Sequence, residues 1–346
     1  MIKILHVADT HIGTRQYGLA ERRNDFSQAL FQVVELAIAE EVRAVVHSGD
    51  LFDNRNPSTE DLRDVLLALL RLREGGIPFL AVVGNHEQKR GVQWLDLFQS
   101  LELAVHLGTE PYDLDGIPIW GLDYAGRREV ELPQLEGRVL VAHQMLDRLD
   151  PVRGELKFVK LLESGAEAVL LGDYHEHRSW LEGGVLITYP GSTERWRASE
   201  RAPRGCSIID LESKRIERRE LRTRGFIYIE EDEDPLRGLA ARELKGAVVC
   251  IYLGNFQYTP QEIEEEALGR GALAVQLLDR RTAAPMGEEE RGVKIEVEFA
   301  DLEEFLSREL AELELSPWGR EVDAIIRDER IPDSNVDPEV TKLLET

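Results

Sequence analysis

The chain has 346 residues, 42% of them hydrophobic, with 28 Gly, 14 Pro and a formal charge of −24. This composition excludes a disordered or fibrous protein, and the length exceeds what one core supports, roughly 250–300 residues, so a large domain with a smaller one is expected. The acidic excess excludes a general nucleic-acid binder, because affinity for phosphate backbones comes mainly from Lys and Arg.

No apolar stretch approaches the roughly 18 residues of a membrane span, and "IKILHVADTH" meets charge at Asp9 where a signal peptide would still be apolar, so a cytoplasmic, intracellular protein is expected. Cys206 and Cys250 lie far apart without ligand-like spacing and read as core thiols.

In chain order, short β-rich apolar runs alternate with amphipathic segments: "IKILHVA" (2–8), a helix near 22–41, "RAVVHS" (43–48), a helix near 59–73 and "IPFLAVV" (77–83). Further strands are expected at "IPIWGLDY" (117–124), "RVLVAH" (138–143), "EAVLLG" (167–172), "GVLITY" (184–189) and "GCSIIDL" (205–211). The last of these have no helices between them, so an α/β fold with mixed sheets is predicted. The pattern changes after about residue 222 to "GFIYIEE", "GAVVCIYL", a helix near 260–270, "ALAVQLLD", "KIEVEF" and a helix over 301–314, enough for a compact α+β domain over 223–316. Residues 317–346 carry two short helical pieces, too little for a core, and read as a docking tail.

Each unusual polar cluster of the first half closes a predicted buried strand. "ADTH" follows 2–8, "SGD" follows 43–48, "GNHE" follows 77–83, "AHQ" closes 138–143 and "GDYHEH" follows 167–171. Open α/β sheets bind ligands in the crevice outside the carboxyl ends of their strands. Singly, each cluster has an ordinary reading as a turn, a helix cap or a hydrogen-bonded core histidine. Together, Asp9, His11, Asp50, Asn85, His86, His143, Asp173 and His175 would set several carboxylates against one another in low dielectric, a cost that two divalent cations would remove.

The ordered set D-x-H, G-D, G-N-H-E, a lone His and G-x-x-H is similar to that of the calcineurin-like metallophosphoesterases. More narrowly, "ADTHIGTRQYG", "HSGDLFDNRNPS", "VVGNHE", "AHQ" and "YPGSTER" resemble the meiotic recombination 11 family of DNA double-strand-break repair nucleases, called SbcD in bacteria. The resemblance covers most of residues 1–210; the remainder is similar to that family's capping domain only in size and position. It implies a sandwich of two mixed sheets flanked by helices over 1–222, and a two-metal, usually manganese-dependent, DNA exonuclease and endonuclease. It also implies that Asp9, His11 and His175 hold one ion, that Asn85, His143 and Asp173 hold the other, and that Asp50 bridges both. The ions would activate water for in-line attack on phosphorus, with His86 as leaving-group acid or phosphate-orienting group.

Two departures from the pattern stand out. Gly172-Asp173-Tyr174-His175 replaces the usual G-H-x-H, putting a carboxylate where the family ligates through imidazole. Tighter retention of hard ions and slower chemistry are expected; an alternative register pairs His175 with His177. Asp53 in "GDLFD" stands where archaeal and eukaryotic members often carry His, and beside His86 it would orient that ring and favour its acid form.

DNA contacts are expected from the loops carrying Arg15, Tyr17, Arg22, Arg23, Lys89, Arg90, Arg195, Trp196, Arg197, Arg201 and Arg204, with Tyr17 or Trp196 stacking on a base and His177 near substrate. The resemblance further implies a homodimer, through the apolar face of 25–40 or 62–73, and an SMC-like repair ATPase as partner, with 317–346 as its docking segment. Other readings are a phosphatase or cyclic-nucleotide phosphodiesterase of the same superfamily, or a weakly catalytic scaffold that regulates the ATPase.

Overall fold

The computed structural model describes residues 2–278 except 127–129, 131, 133, 136, 231, 255 and 256. The expected strand "KIEVEF", the helix over 301–314 and the docking tail 317–346 lie outside the described residues.

The first half runs β1 (Lys3–Val7), α1 (Ala20–Ala39), β2 (Ala44–Ser48), α2 (Thr59–Glu74), β3 (Phe79–Val82), α3 (Trp94–Ser100), β4 (Val105–His106), β5 (Tyr112–Leu114) and β6 (Ile117–Leu122). It continues through β7 (Val139–His143), α4 (Phe158–Glu163), β8 (Ala168–Gly172), β9 (Arg178–Glu182), β10 (Val185–Tyr189), β11 (Gly205–Asp210) and β12 (Arg215–Glu220). These strands form two six-stranded mixed sheets, in the orders β12-β11-β1-β2-β3-β4 and β5-β6-β7-β8-β10-β9.

Neighbouring residues of one strand serve opposite layers, as the pleat requires. Leu5, Val45 and Phe79 face α1 and α2, meeting Phe26, Leu30, Val33 and Val34 of one and Val65, Leu69 and Leu72 of the other. Ile4, Val46, Leu80 and Val82 face inward and meet Ile119, Val139, Val141 and Leu170 of the second sheet. Leu140, Val169 and Ile187 face the far side, under Phe158 and Leu161 of α4. Strands buried on both faces are continuous apolar runs and pair in parallel, β1 with β2, β2 with β3, β7 with β8. The stripe along α1 that sequence offers for contact between copies is therefore spent on the sheet, while Leu67 of α2 stays 45% exposed. α2 opens with a capping box between Ser58 and Asp61, which satisfies donors of its first turn.

After residues 221–225, β13 (Phe226–Ile229), α5 (Pro235–Ala240), β14 (Val248–Tyr252), α6 (Pro260–Gly269) and β15 (Ala274–Leu278) form a separate three-stranded parallel sheet. One face packs Ile229, Val249 and Ile251 on Leu239, Ile263 and Ala267. The other face, Val248, Cys250 and Ala274, is covered by Tyr17, Leu19 and Ala198 of the large unit. Among the described residues no helix is long and apolar enough to cross a membrane.

His106 on β4 ties the two large sheets together. Its Nδ1 lies 2.6 Å from Asp96 of α3 and its Nε2 3.0 Å from Asp123, just past β6. Asp123, against burial and with help from Asp96, raises the His106 pKa to about 9. A raised folded pKa stabilises fully below the unfolded value near 6.5, and that gain fades as pH rises through about 9. We expect His106→Gln to cost ~2–3 kcal/mol at pH 6 and almost nothing above pH 10, in urea unfolding; a cost independent of pH would contradict the clamp.

Candidate metal centre

β1, β2, β3, β7 and β8 run parallel within their sheets and end at one rim, where backbone bonds from Asp9 to Gly49 and from His11 to Asp50 stitch the loops together. There the chain leaves extended geometry abruptly. Asp9, His11, Asp50 and Asp173 take φ values of 52°, 44°, 56° and 91°, the left-handed region that costs an L residue about 1–2 kcal/mol and that short polar side chains tolerate best. The turn swings each side chain across the rim. Gly84 and Gly172 permit the close approach: a Cβ at the first would meet the Asp50 carboxylate, and at the second the Ser48 carbonyl and the His143 ring.

The resulting cluster is buried and dense. His11 Nε2 lies 3.3 Å from His175 Nε2 and 3.8 Å from Asp50 Oδ2. His143 Nε2 lies 3.0 Å from Asn85 Oδ1, 3.3 Å from Asp50 Oδ2 and 3.8 Å from Asp173 Oδ1. The Asp9 carboxylate accepts the Asp173 N–H at 3.1 Å through Oδ1, while its Oδ2 is buried without a hydrogen-bond partner. Asp9, His11 and His175 form one group able to hold a cation, and Asp9, Asp50 and His143 a second.

The outward nitrogens determine what the inward ones can do. His143 Nδ1 donates to the Ser48 carbonyl at 2.7 Å and His175 Nδ1 to Glu200 at 2.7 Å, while His11 Nδ1 faces Asp53 Oδ1 at 3.5 Å. A proton held on Nδ1 leaves a lone pair on Nε2. With both rings neutral and protonated on Nδ1, the facing Nε2 atoms of His11 and His175 would be lone pair against lone pair, an arrangement that a cation between them would relieve. The electrostatics show the same demand for positive charge. Burial opposes a charged His143, yet Asp50, Asp9 and Asp173 outweigh it and raise its pKa well above the ordinary value. Burial likewise pushes Asp50 up, but His143, His11 and His86 hold it below the usual carboxylate range. Asp173 is raised, by burial first and by Asp9 and Asp50 beside it, with His143 opposing.

Other expectations are redistributed. The Asp53 carboxylate does not pair closely with His86: its Oδ1 accepts the Trp196 indole N–H at 2.9 Å and stands 3.9 Å from His86 Nδ1. His86 Nδ1 donates instead to the Asp53 backbone carbonyl at 2.9 Å, because the turn after Leu51 brings that carbonyl nearer than the side chain. Its ring stands edge-on to His11, 4.7 Å between centroids. His177 donates to the Tyr189 carbonyl at 2.9 Å and belongs to neither group just named.

Of the basic and aromatic residues expected on DNA, Arg15, Arg90 and Arg197 are exposed and Lys89 lies over the Trp94 ring. Arg22, Arg23 and Arg204 are instead buried in the frame, bonded to Gln16 and Asp25, to Asp61 and Asp64, and to the His175 and Ala202 carbonyls. Tyr17 is half-buried and packs on the small sheet with its hydroxyl buried. Trp196 stacks on His11 at 5.6 Å and walls the centre. Arg195 bonds Thr223, and Arg201 pairs with Glu230.

Two carboxylates escaped the sequence reading. Glu87, the last residue of "GNHE", accepts the N–H groups of Leu51, Phe52 and Gly84 and so locks two rim loops together; burial, then Asp50, raises its pKa to about 7. Its place in the motif was the available signal. Glu200, 25 residues from the His175 it holds, had none.

Residues 2–197 match the calcineurin-like phosphoesterase family. The DNA double-strand break repair protein Mre11 of Haloferax volcanii is 39% identical over an alignment that covers 100% of this chain and 82% of that protein. The chain belongs to the Mre11 family. The Halobacterium salinarum Mre11 protein is 37% identical, over 97% of this chain and 92% of its own length. Against the Methanosarcina mazei Mre11 protein, 38% identical, the alignment takes in 99% of this chain but spans 60% of that relative.

In this Mre11-family chain, the packing at the rim predicts that Gly172→Ala costs about 1–3 kcal/mol through forced displacement of Ser48 and His143. Gly108→Ala, where nothing lies within 4 Å of the added carbon, should stay near wild type in urea unfolding. Equal losses at both positions would show that the rim is not tightly packed.

Proposed function

We propose that the chain is a two-metal nuclease subunit that hydrolyses phosphodiester bonds at DNA ends in double-strand-break repair. The observation that carries this reading is the pair of Nε2 atoms, His11 and His175, 3.3 Å apart with the outward nitrogen of each imidazole facing a carboxylate. Asp9, His11 and His175 would hold one ion, Asn85, His143 and Asp173 the other, and Asp50 would serve both. Bound there, two divalent cations supply an activated water and neutralise charge on the phosphoryl oxygens. The mix of carboxylate, amide and imidazole donors suits manganese.

The chain's own residues supply the rest. His86, its side chain 28% exposed, has Nδ1 fixed by the Asp53 carbonyl, so its Nε2 is left for substrate, as an acceptor when neutral and as an acid when the ring is charged. Trp196 covers one side of the His11 ring and donates to Asp53, whose carboxylate faces the outward nitrogen of that ring. Exposed Arg15, Arg90 and Arg197, with half-buried Lys89, would grip the backbone of a DNA strand locally. A homodimer is proposed through α2 and α3, where Leu67, Leu97 and, at the C-cap of α3, Leu101 remain 44–49% exposed. An SMC-like ATPase partner and a position at the nucleoid fit the repair role that the Mre11 relatives' names carry.

Asp173 is this chain's own variation. Two divalent ions against Asp9, Asp50 and Asp173 keep less net positive charge than a set with imidazole in that place, so phosphorus is activated less. With manganese and linear, hairpin or single-stranded DNA, Asp173→His should cleave several-fold faster, and Asp173→Ala should lower the ion count while His177→Ala leaves it at two. A generic phosphodiester cleaved readily while all DNA stays intact would replace the nuclease by another phosphoesterase. Two ions retained in Asp173→Ala but lost in His177→Ala would reverse the ligand assignment.

A further inference from the structure

The segment 190–204, between β10 and β11, faces two ways. On its inner side Glu200 Oε1 accepts His175 Nδ1 at 2.7 Å, and its Oε2 accepts the Trp196 N–H at 2.8 Å. Trp196 in turn stacks on His11 and donates to Asp53. On its outer side the same segment rests on the small sheet. Arg195 donates to the Glu200 carbonyl at 3.0 Å and to Thr223 Oγ1 at 2.9 Å, and stands over the Phe226 ring. Arg201 pairs with Glu230 at 2.7 Å and stands over Tyr228 at 4.4 Å. Ala198 packs on Val248, Cys250 and Ala274.

The imidazoles differ in what backs them. His143 is held by the Ser48 carbonyl, at the end of a central strand, and His11 Nδ1 faces Asp53, in the loop after β2, at 3.5 Å. His175 is held by a carboxylate on a segment whose opposite side is seated on another sheet. Arg195 bonds both the backbone of Glu200 and the linker at Thr223, so a shift of the small sheet moves the group that aims His175.

We propose that Glu200 is a positioning residue for His175, and that the segment 190–204 makes the seating of the small sheet a determinant of how tightly the Asp9, His11 and His175 group holds its cation. This rests on the metal-centre reading above. A carboxylate behind a ligating imidazole fixes its tautomer and orientation and strengthens its basicity, and losing it costs about 10–100-fold in affinity. Linkage makes the effect reciprocal: cation binding tightens the seating by the same factor.

Manganese titration of the full chain, followed calorimetrically and by electron paramagnetic resonance, tests this. The wild type should bind two ions; Glu200→Gln should bind one of them about 10–100-fold more weakly and the other unchanged, with Glu200→Asp recovering part of the loss. Arg201→Gln, which touches none of the candidate ligands, should weaken the same ion several-fold. Should Glu200→Gln fail to fold, Arg201→Gln and Glu200→Asp carry the test. Two wild-type affinities in a folded Glu200→Gln would overturn the positioning role. Loss in the Glu200 variants with an unaltered Arg201→Gln would overturn the part played by the small sheet. A wild type that binds no manganese would instead remove the metal-centre reading itself.

Discussion

Three imidazoles, His11 and His143 buried and His175 half-buried, reach one rim with their outward nitrogens facing acceptors, and the rest of the proposed centre depends on this. Ser48, Glu200 and Asp53 lie behind His143, His175 and His11, so the three rings, once neutral with the proton on Nδ1, would turn Nε2 lone pairs toward Asp9, Asp50 and Asp173. Carboxylates without cations repel in low dielectric, and lone pairs without a shared acceptor do the same. A pair of divalent ions would resolve both conflicts together, and this is what supports the proposal of a metal centre at the rim.

The fold bears the cost of holding it. Four of the rim residues sit at left-handed φ, and Gly84 and Gly172 give up side chains so that Asp50 and His143 can approach. Such strain persists only where the surroundings over-determine it. Here they do, because the strands that end at the rim are locked between three apolar layers, and Glu87 clamps the loops after β2 and β3 to one carboxylate.

Much of this was legible in the amino-acid sequence where a residue's neighbours on the chain decide its environment. Runs such as "RAVVHS" and "EAVLLG" can only be strands buried on both faces, and the polar clusters that end them mark the rim. Edge strands were not legible: β12, "RIERRE", and β9, "RSWLE", have no unbroken apolar face, because one side of each meets water. Short β4 and β5 leave no period to detect. Adjacency of motifs does not say whether the Asp53 carboxylate or its backbone carbonyl comes nearer to His86; the carbonyl does, at 2.9 Å against 3.9 Å. Arg22 and Arg204 were read as loop guanidinium groups, since nothing local reveals that Gln16, Asp25 and the His175 carbonyl will enclose them.

The most direct test is crystallographic: grow the full chain with manganese and record anomalous differences at the manganese edge. The account requires two peaks, one touching Nε2 of both His11 and His175, the other touching Nε2 of His143 and Oδ1 of Asn85, with Asp50 between them. A map without peaks at the rim, or ions bound through the Nδ1 atoms, would contradict it.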